Sequence, residues 1–117
     1  MNRNIKIVIV PGFSYLSLGS ILEPLQTLKN LYRNLVLDIE LISITDDVIH
    51  SKSGISIRCD MSFQDCLKDL TKTSKTTAVF LCCGLKTPFD MQSSLKKILR
   101  LCDLKNIPIF GVGAAGW

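Results

Sequence analysis

Three β-branched runs punctuate this chain: Ile5-Lys-Ile-Val-Ile-Val10, Thr77-Ala-Val-Phe-Leu-Cys-Cys83 and Ile107-Pro-Ile-Phe-Gly-Val112. Pro11-Gly12, Gly84 and Gly113 close them off at once. Near-continuous apolarity in so short a stretch marks a strand covered on both faces, the situation of a parallel sheet held between layers of helix. The first run is expected at the centre of that sheet, and the last is expected to be a third buried strand. The segments between them supply the remaining elements. Leu18, Ile21, Leu22, Leu25, Leu28 and Leu31 recur at spacings of three and four, one face of a helix, and Pro24 inside it predicts a kink. Leu35 to Ile42 alternates, with Leu35, Leu37, Ile39 and Leu41 on one face and Asp38 and Glu40 on the other, a strand nearer the sheet edge. Val48 to His50 and Ile55 to Ile57 flank Ser53-Gly54 as a small hairpin or an irregular extended excursion. Ser62 is placed to cap a helix over Phe63 to Leu70. A last helix over Asp90 to Leu104 is expected to turn Leu95, Ile98, Leu99 and Leu101 or Cys102 inward. Strands separated by helices pair in parallel through right-handed crossovers, so the class is an α/β sandwich. Ligands in such sheets sit beyond the carboxyl ends of the strands. The turns Pro11 to Ser17, Gly84 to Pro88 and Gly111 to Trp117 all lead off that edge.

Composition narrows the function. The 117 residues, 47% hydrophobic and 21% charged, are enough for one domain, read as residues 1–117, and too apolar for disorder. No apolar run approaches the roughly 20 residues of a membrane span, and no cleavage site follows the first one, so no membrane partner and a cytoplasmic location are expected. The five cysteines are odd in number and form no C-x-x-C pair, which reads as reduced, buried thiols. With one histidine, His50, a zinc site lacks ligands, and no metal or cofactor is expected. His50 with Asp46 and Asp47 reads as a surface turn away from the crevice. The net charge of +4 is scattered, densest at Lys96, Lys97 and Arg100, and makes no basic face for DNA.

Taken in order, PGFSYLSLGSILEPLQTLKN, SKSGISIRCD, VFLCCG and GVGAAGW resemble the N-terminal half of a DJ-1/PfpI domain, closest to the version fused to AraC-type DNA-binding domains in GlxA-like transcription regulators. The resemblance implies a flavodoxin-like three-layer sandwich, incomplete at its C-terminus. It also implies a nucleophile elbow after the third run. There, the cysteine of the enzymatic relatives falls on Gly113, its frequent histidine neighbour on Ala114, and the acidic residue that contacts the cysteine on Ser17. Neither Gly113 nor Ala114 can attack a substrate, and Ser17 does not supply the carboxylate that contacts the cysteine. Cys82 and Cys83 lie near the same edge but read as packed thiols. What the resemblance then implies is a non-catalytic domain that senses a small molecule and forms a homodimer, with Ser14, Ser17, Glu23, Gly84, Gly113 and Ala114 as the ligand-contacting positions. DNA would be reached only through a C-terminal domain not in this sequence. The alternative is a DJ-1/PfpI-type cysteine hydrolase or stress protein that has lost its nucleophile.

Overall fold

The computed structural model describes residues 2–45, 48–72, 76–84 and 91–113. Its elements in chain order are β1 (Asn2–Ile9), α1 (Tyr15–Leu31), β2 (Val36–Ser43), β3 (Val48–His50), β4 (Ser56–Arg58), β5 (Met61–Ser62), α2 (Phe63–Lys72), β6 (Ala78–Cys83), α3 (Gln92–Leu104) and β7 (Ile109–Gly113). Five strands form one sheet in the order β5-β2-β1-β6-β7, and every pairing in it is parallel. β3 and β4 form a separate antiparallel hairpin.

β1 is central, as its composition requires. Ile7, Val8 and Ile9 are fully buried and serve both faces alternately. Ile5, Ile7 and Ile9 pack with Leu18 and Ile21 of α1, whereas Val8 packs with Cys66 and Leu70 of α2 and Ile98 and Cys102 of α3. One helix therefore covers one face and two cover the other, the three-layer arrangement. The Ser62 hydroxyl accepts from the Asp65 amide at 3.1 Å, capping α2 as its sequence position dictates. α1 runs unbroken through Pro24, which removes one donor without ending the helix.

The structure departs from the sequence reading in two places. β7 is an edge strand, not a buried one: Phe110 is 49% exposed and only Ile107, ahead of the strand, is buried. Its apolarity reflects pairing to β6 on one side alone, with Phe80 and Phe110 in register and their rings stacked at 5.2 Å. Leu99 of α3 faces outward, since the sheet takes Ile98 and Cys102 from that helix. β2 lies nearer the edge than β1, as its alternation implies, with only the two-residue β5 outside it at Ile42 and Ser43.

Lys6, in the middle of β1, is fully buried. Its ammonium donates to Glu40 of β2 at 2.6 Å and lies 2.7 Å from Asp69 of α2, with Asn4 at 2.8 Å completing its donors. Burial works to lower its pKa, but the carboxylates of Asp69 and Glu40 outweigh that and hold it above the ordinary lysine value. A lone cation in a buried strand needs such partners. The alternation of β2 supplies one of them, since Ile39 and Leu41 pack in the layer of α1 and Glu40 between them takes the other face.

Candidate functional site at the carboxyl edge

Three strand ends meet at one edge. β1 and β6 are neighbours from which the chain leaves in opposite directions, β1 through α1 towards β2 and β6 through α3 towards β7. The gap between their carboxyl ends is where open parallel sheets receive ligands.

The loop after β1 is fixed from several sides. The Val10 amide donates to the Cys82 carbonyl at 3.1 Å and the Phe13 amide to the Val10 carbonyl at 3.2 Å. Gly12 has φ +84°, a left-handed conformation that suits glycine. The hairpin grips the same loop, with the Gly12 amide donating to the His50 carbonyl at 2.9 Å and the Lys52 amide to the Phe13 carbonyl at 2.9 Å. Phe13 is fully buried with its ring centre 5.5 Å from that of Tyr15. Ser14 is the N-cap of α1, its hydroxyl accepting from the Ser17 amide at 3.4 Å. Ser17 thus stands in the first turn of α1 and not in the loop before it.

Gly84 ends β6 against this loop. A Cβ there would overlap the Gly12 carbonyl oxygen and stand 3.0 Å from the Gly12 carbonyl carbon, so the absence of a side chain is what lets the two backbones meet. Gly113 ends β7 with φ +70°, the left-handed turn expected of an elbow. A Cβ on Gly113 would lie 3.1 Å from the Ser17 hydroxyl and 2.9 Å from the Cys83 carbonyl oxygen. Ser17 and Gly113, 96 positions apart in the chain, are therefore neighbours across the crevice.

Of the six positions assigned from sequence, Ser14, Ser17, Gly84 and Gly113 gather at this edge. Glu23 is exposed, six residues beyond Ser17 and about 240° further round the helix, so it points away from Gly113. Ala114 lies outside the described residues, as do Asp46, Asp47, Pro88 and Trp117. The His50 ring pairs with the Ser56 hydroxyl at 2.8 Å across the exposed hairpin, although its backbone carbonyl reaches the crevice loop.

The thiols at this edge are poor nucleophiles. Cys82 and Cys83 are buried, and burial, with the neighbouring Cys83, pushes the Cys82 thiol up to about 11. Cys66 is pushed up to about 12 by burial between the sheet and α2, and burial also raises Cys102. All five cysteines are in the reduced form. Among the described residues no three His, Cys, Asp or Glu side chains converge as a metal site would require.

At the opposite edge of the sheet a cavity of about 740 Å³ opens beside the Lys6 ion cluster, lined by Asn4, Asp38, Glu40, Asp69 and Thr77 among others. Sequence reasoning passed over this cluster, though a lysine inside an isoleucine run was its signal.

Solved structures share this fold. An AraC family transcriptional regulator from Pseudomonas putida superposes with a TM-score of 0.76 at 18% identity, over 93% of this chain and 63% of that one. The DJ-1 superfamily fold is shared. A cysteine-to-alanine mutant of a DJ-1 superfamily protein from Salmonella typhimurium gives a TM-score of 0.70 at 15% identity, over 93% of this chain and 54% of that one. The oxidised DJ-1 of Toxoplasma gondii gives 0.69 at 11%, over the same 93% and 54%. The chain thus spans between about half and two thirds of the length of these solved structures. No family model matches the chain, and no curated protein matches it in sequence. Among the described residues no helix is long and apolar enough to cross a membrane.

Proposed function

We propose that the chain is the N-terminal part of a non-catalytic, small-molecule-sensing and dimerising domain of a GlxA-like, AraC-family transcriptional regulator, acting in the cytoplasm. One observation carries the reading: the elbow geometry is kept at Gly113, left-handed and against Ser17, while Gly113 brings no side chain and Ser17 a neutral hydroxyl, so the thiol nucleophile and the carboxylate base of the enzymatic relatives are both missing there. Nucleophilic catalysis needs both. A neutral hydroxyl at Ser17 and a notch where a side chain would stand suit noncovalent binding, with Ser14, Gly84 and Ala114 as the further contact positions. No cofactor or metal enters this reading. DNA contact belongs to a helix-turn-helix module encoded beyond Trp117, so that the coding sequence downstream is a direct check. The regulator among the solved structures supports the assignment; the DJ-1 proteins are what a hydrolase or stress-protein origin would resemble.

Thiol titration of the folded protein with an alkylating electrophile separates the two. Five slow thiols, all accelerated by denaturant, are expected of the sensor. One fast thiol in the native state, together with hydrolytic turnover that its alkylation abolishes, would establish the enzyme instead.

A further inference from the structure

The two strands at the middle of the sheet change character along the side they turn to α2 and α3. Val8 of β1 and Ile42 of β2 belong to the apolar core there. Nearer the amino ends, the same side carries Asn4 and Lys6 on β1 in register with Asp38 and Glu40 on β2. A central parallel strand is normally apolar on both faces, and helix length accounts for the exception. α2 has ten residues and runs about 15 Å, whereas the eight-residue strands beneath it run about 26 Å. The amino ends of β1 and β2 are left unroofed, and the cavity of about 740 Å³ opens there.

The floor of this cavity is fixed and its chemistry is one-sided. Asn4, Glu40 and Asp69 together occupy the donors of the Lys6 ammonium. The Asn4 amide donates to Glu40 at 2.8 Å, and the buried Thr76 hydroxyl donates to the Asn4 side-chain oxygen at 3.2 Å. What is left over accepts: among the described residues nothing pairs with the Asp38 carboxylate, with Oε2 of Glu40 or with Oδ1 of Asp69. Charge points the same way. Arg3 and Lys6 stand against three carboxylates and leave one negative charge at this cavity, in a chain whose net charge is +4. A bare metal ion does not fit, because among the described residues no three such groups converge on one point. Asp38 and Glu40 instead stand two positions apart along one strand, about 7 Å, close to the span between the nitrogens of a short aliphatic diamine.

We infer that the amino-edge cavity binds an organic cation, an aliphatic diamine or polyamine, whose ammonium groups donate to Asp38 and to the open oxygens of Glu40 and Asp69. Lys6 holds two of those carboxylates in place without touching the ligand. The cavity lies at the opposite end of the strands from Ser17 and Gly113, so it is separate from the proposed sensing crevice, and its failure would leave that reading standing.

Isothermal titration calorimetry of the whole chain with 1,4-diaminobutane at low ionic strength tests this. One saturable site is expected, with no binding of 1,4-butanediol, which has the length without the charge. Asp38→Asn removes an acceptor that holds nothing else among the described residues, so it should keep the melting curve and raise the dissociation constant about five- to tenfold. Asp103→Asn removes the same charge from an exposed position on α3 and should leave the constant unchanged. A titration that does not saturate overturns the site. Equal weakening by the two variants overturns its placement, and full displacement of the diamine by magnesium chloride at matched ionic strength overturns the ligand class.

Discussion

Replacing Gly84 by alanine probes the contact on which the crevice is built. The new methyl would meet the Gly12 carbonyl oxygen and carbon, the carbon at 3.0 Å, and the Phe13 amide nitrogen at 3.7 Å. All of these are backbone atoms, and their loop is tied by hydrogen bonds to Val10, His50 and Lys52. No flexible side chain can swing aside. Overpacking of this kind costs about 1–3 kcal/mol, and a backbone obstacle on a braced loop puts it near the upper end, at about 3 kcal/mol. An unfolding entropy of about 2.1 cal/mol/K per residue gives about 0.25 kcal/mol/K for this chain length, so Gly84→Ala should lower the melting temperature by about 12 °C. Gly19→Ala is the internal control. Gly19 lies inside α1 with nothing within 4 Å of its would-be Cβ, and alanine there should add about 0.5–1 kcal/mol, or about 2–4 °C. Both are read by thermal melting followed by circular dichroism, after checking that melting reverses. If Gly84→Ala melts within about 2 °C of the wild type, the close approach of β6 to the loop is not what holds this edge together, and the crevice geometry fails with it.

The remaining predictions concern the elbow, the thiols and the buried cation. Gly113→Ala should lose about 1–2 kcal/mol from the left-handed backbone alone and more from its approach to the Cys83 carbonyl, so a neutral result in denaturant titration would refute the elbow conformation. Cys66 ionises near its ordinary value of 9.0 when unfolded and near 12 when folded. Its stabilising effect is therefore complete below about pH 9 and is lost as pH rises towards 12, about 1.4 kcal/mol per pH unit. Cys66→Ala should flatten that alkaline limb in urea melts taken at several pH values, and an unchanged slope would sink the assignment. Lys6→Ala should cost about 2–3 kcal/mol, because it leaves Glu40 and Asp69 without their cation beside a void, though both carboxylates are partly open to water. Lys6→Met, which refills the volume, should cost less, and the reverse order would show that packing is not part of the loss.

What the sequence determined here is whatever neighbours within a few residues can encode. β-branched runs closed by Gly or Pro announced β1 and β6, the spacing of three and four announced α1, Ser62 announced the start of α2, and Ser53-Gly54 announced the hairpin, because strand and helix periods and caps are local physics. Even Ser17 and Gly113 were legible as a pair, but only through resemblance, since 96 positions separate them. The tertiary structure alone decided the rest. An apolar run reads the same whether one side or both are covered, so β7's place at the edge, with Phe110 half in water, follows from strand order and not from composition. The partners of Lys6 come from a neighbouring strand and a helix, Glu40 and Asp69, and only parallel pairing in register brings them to one ammonium. Likewise, Gly84 is a glycine because a backbone from far away in the chain passes where its side chain would be, a steric demand that no stretch of sequence around it can express.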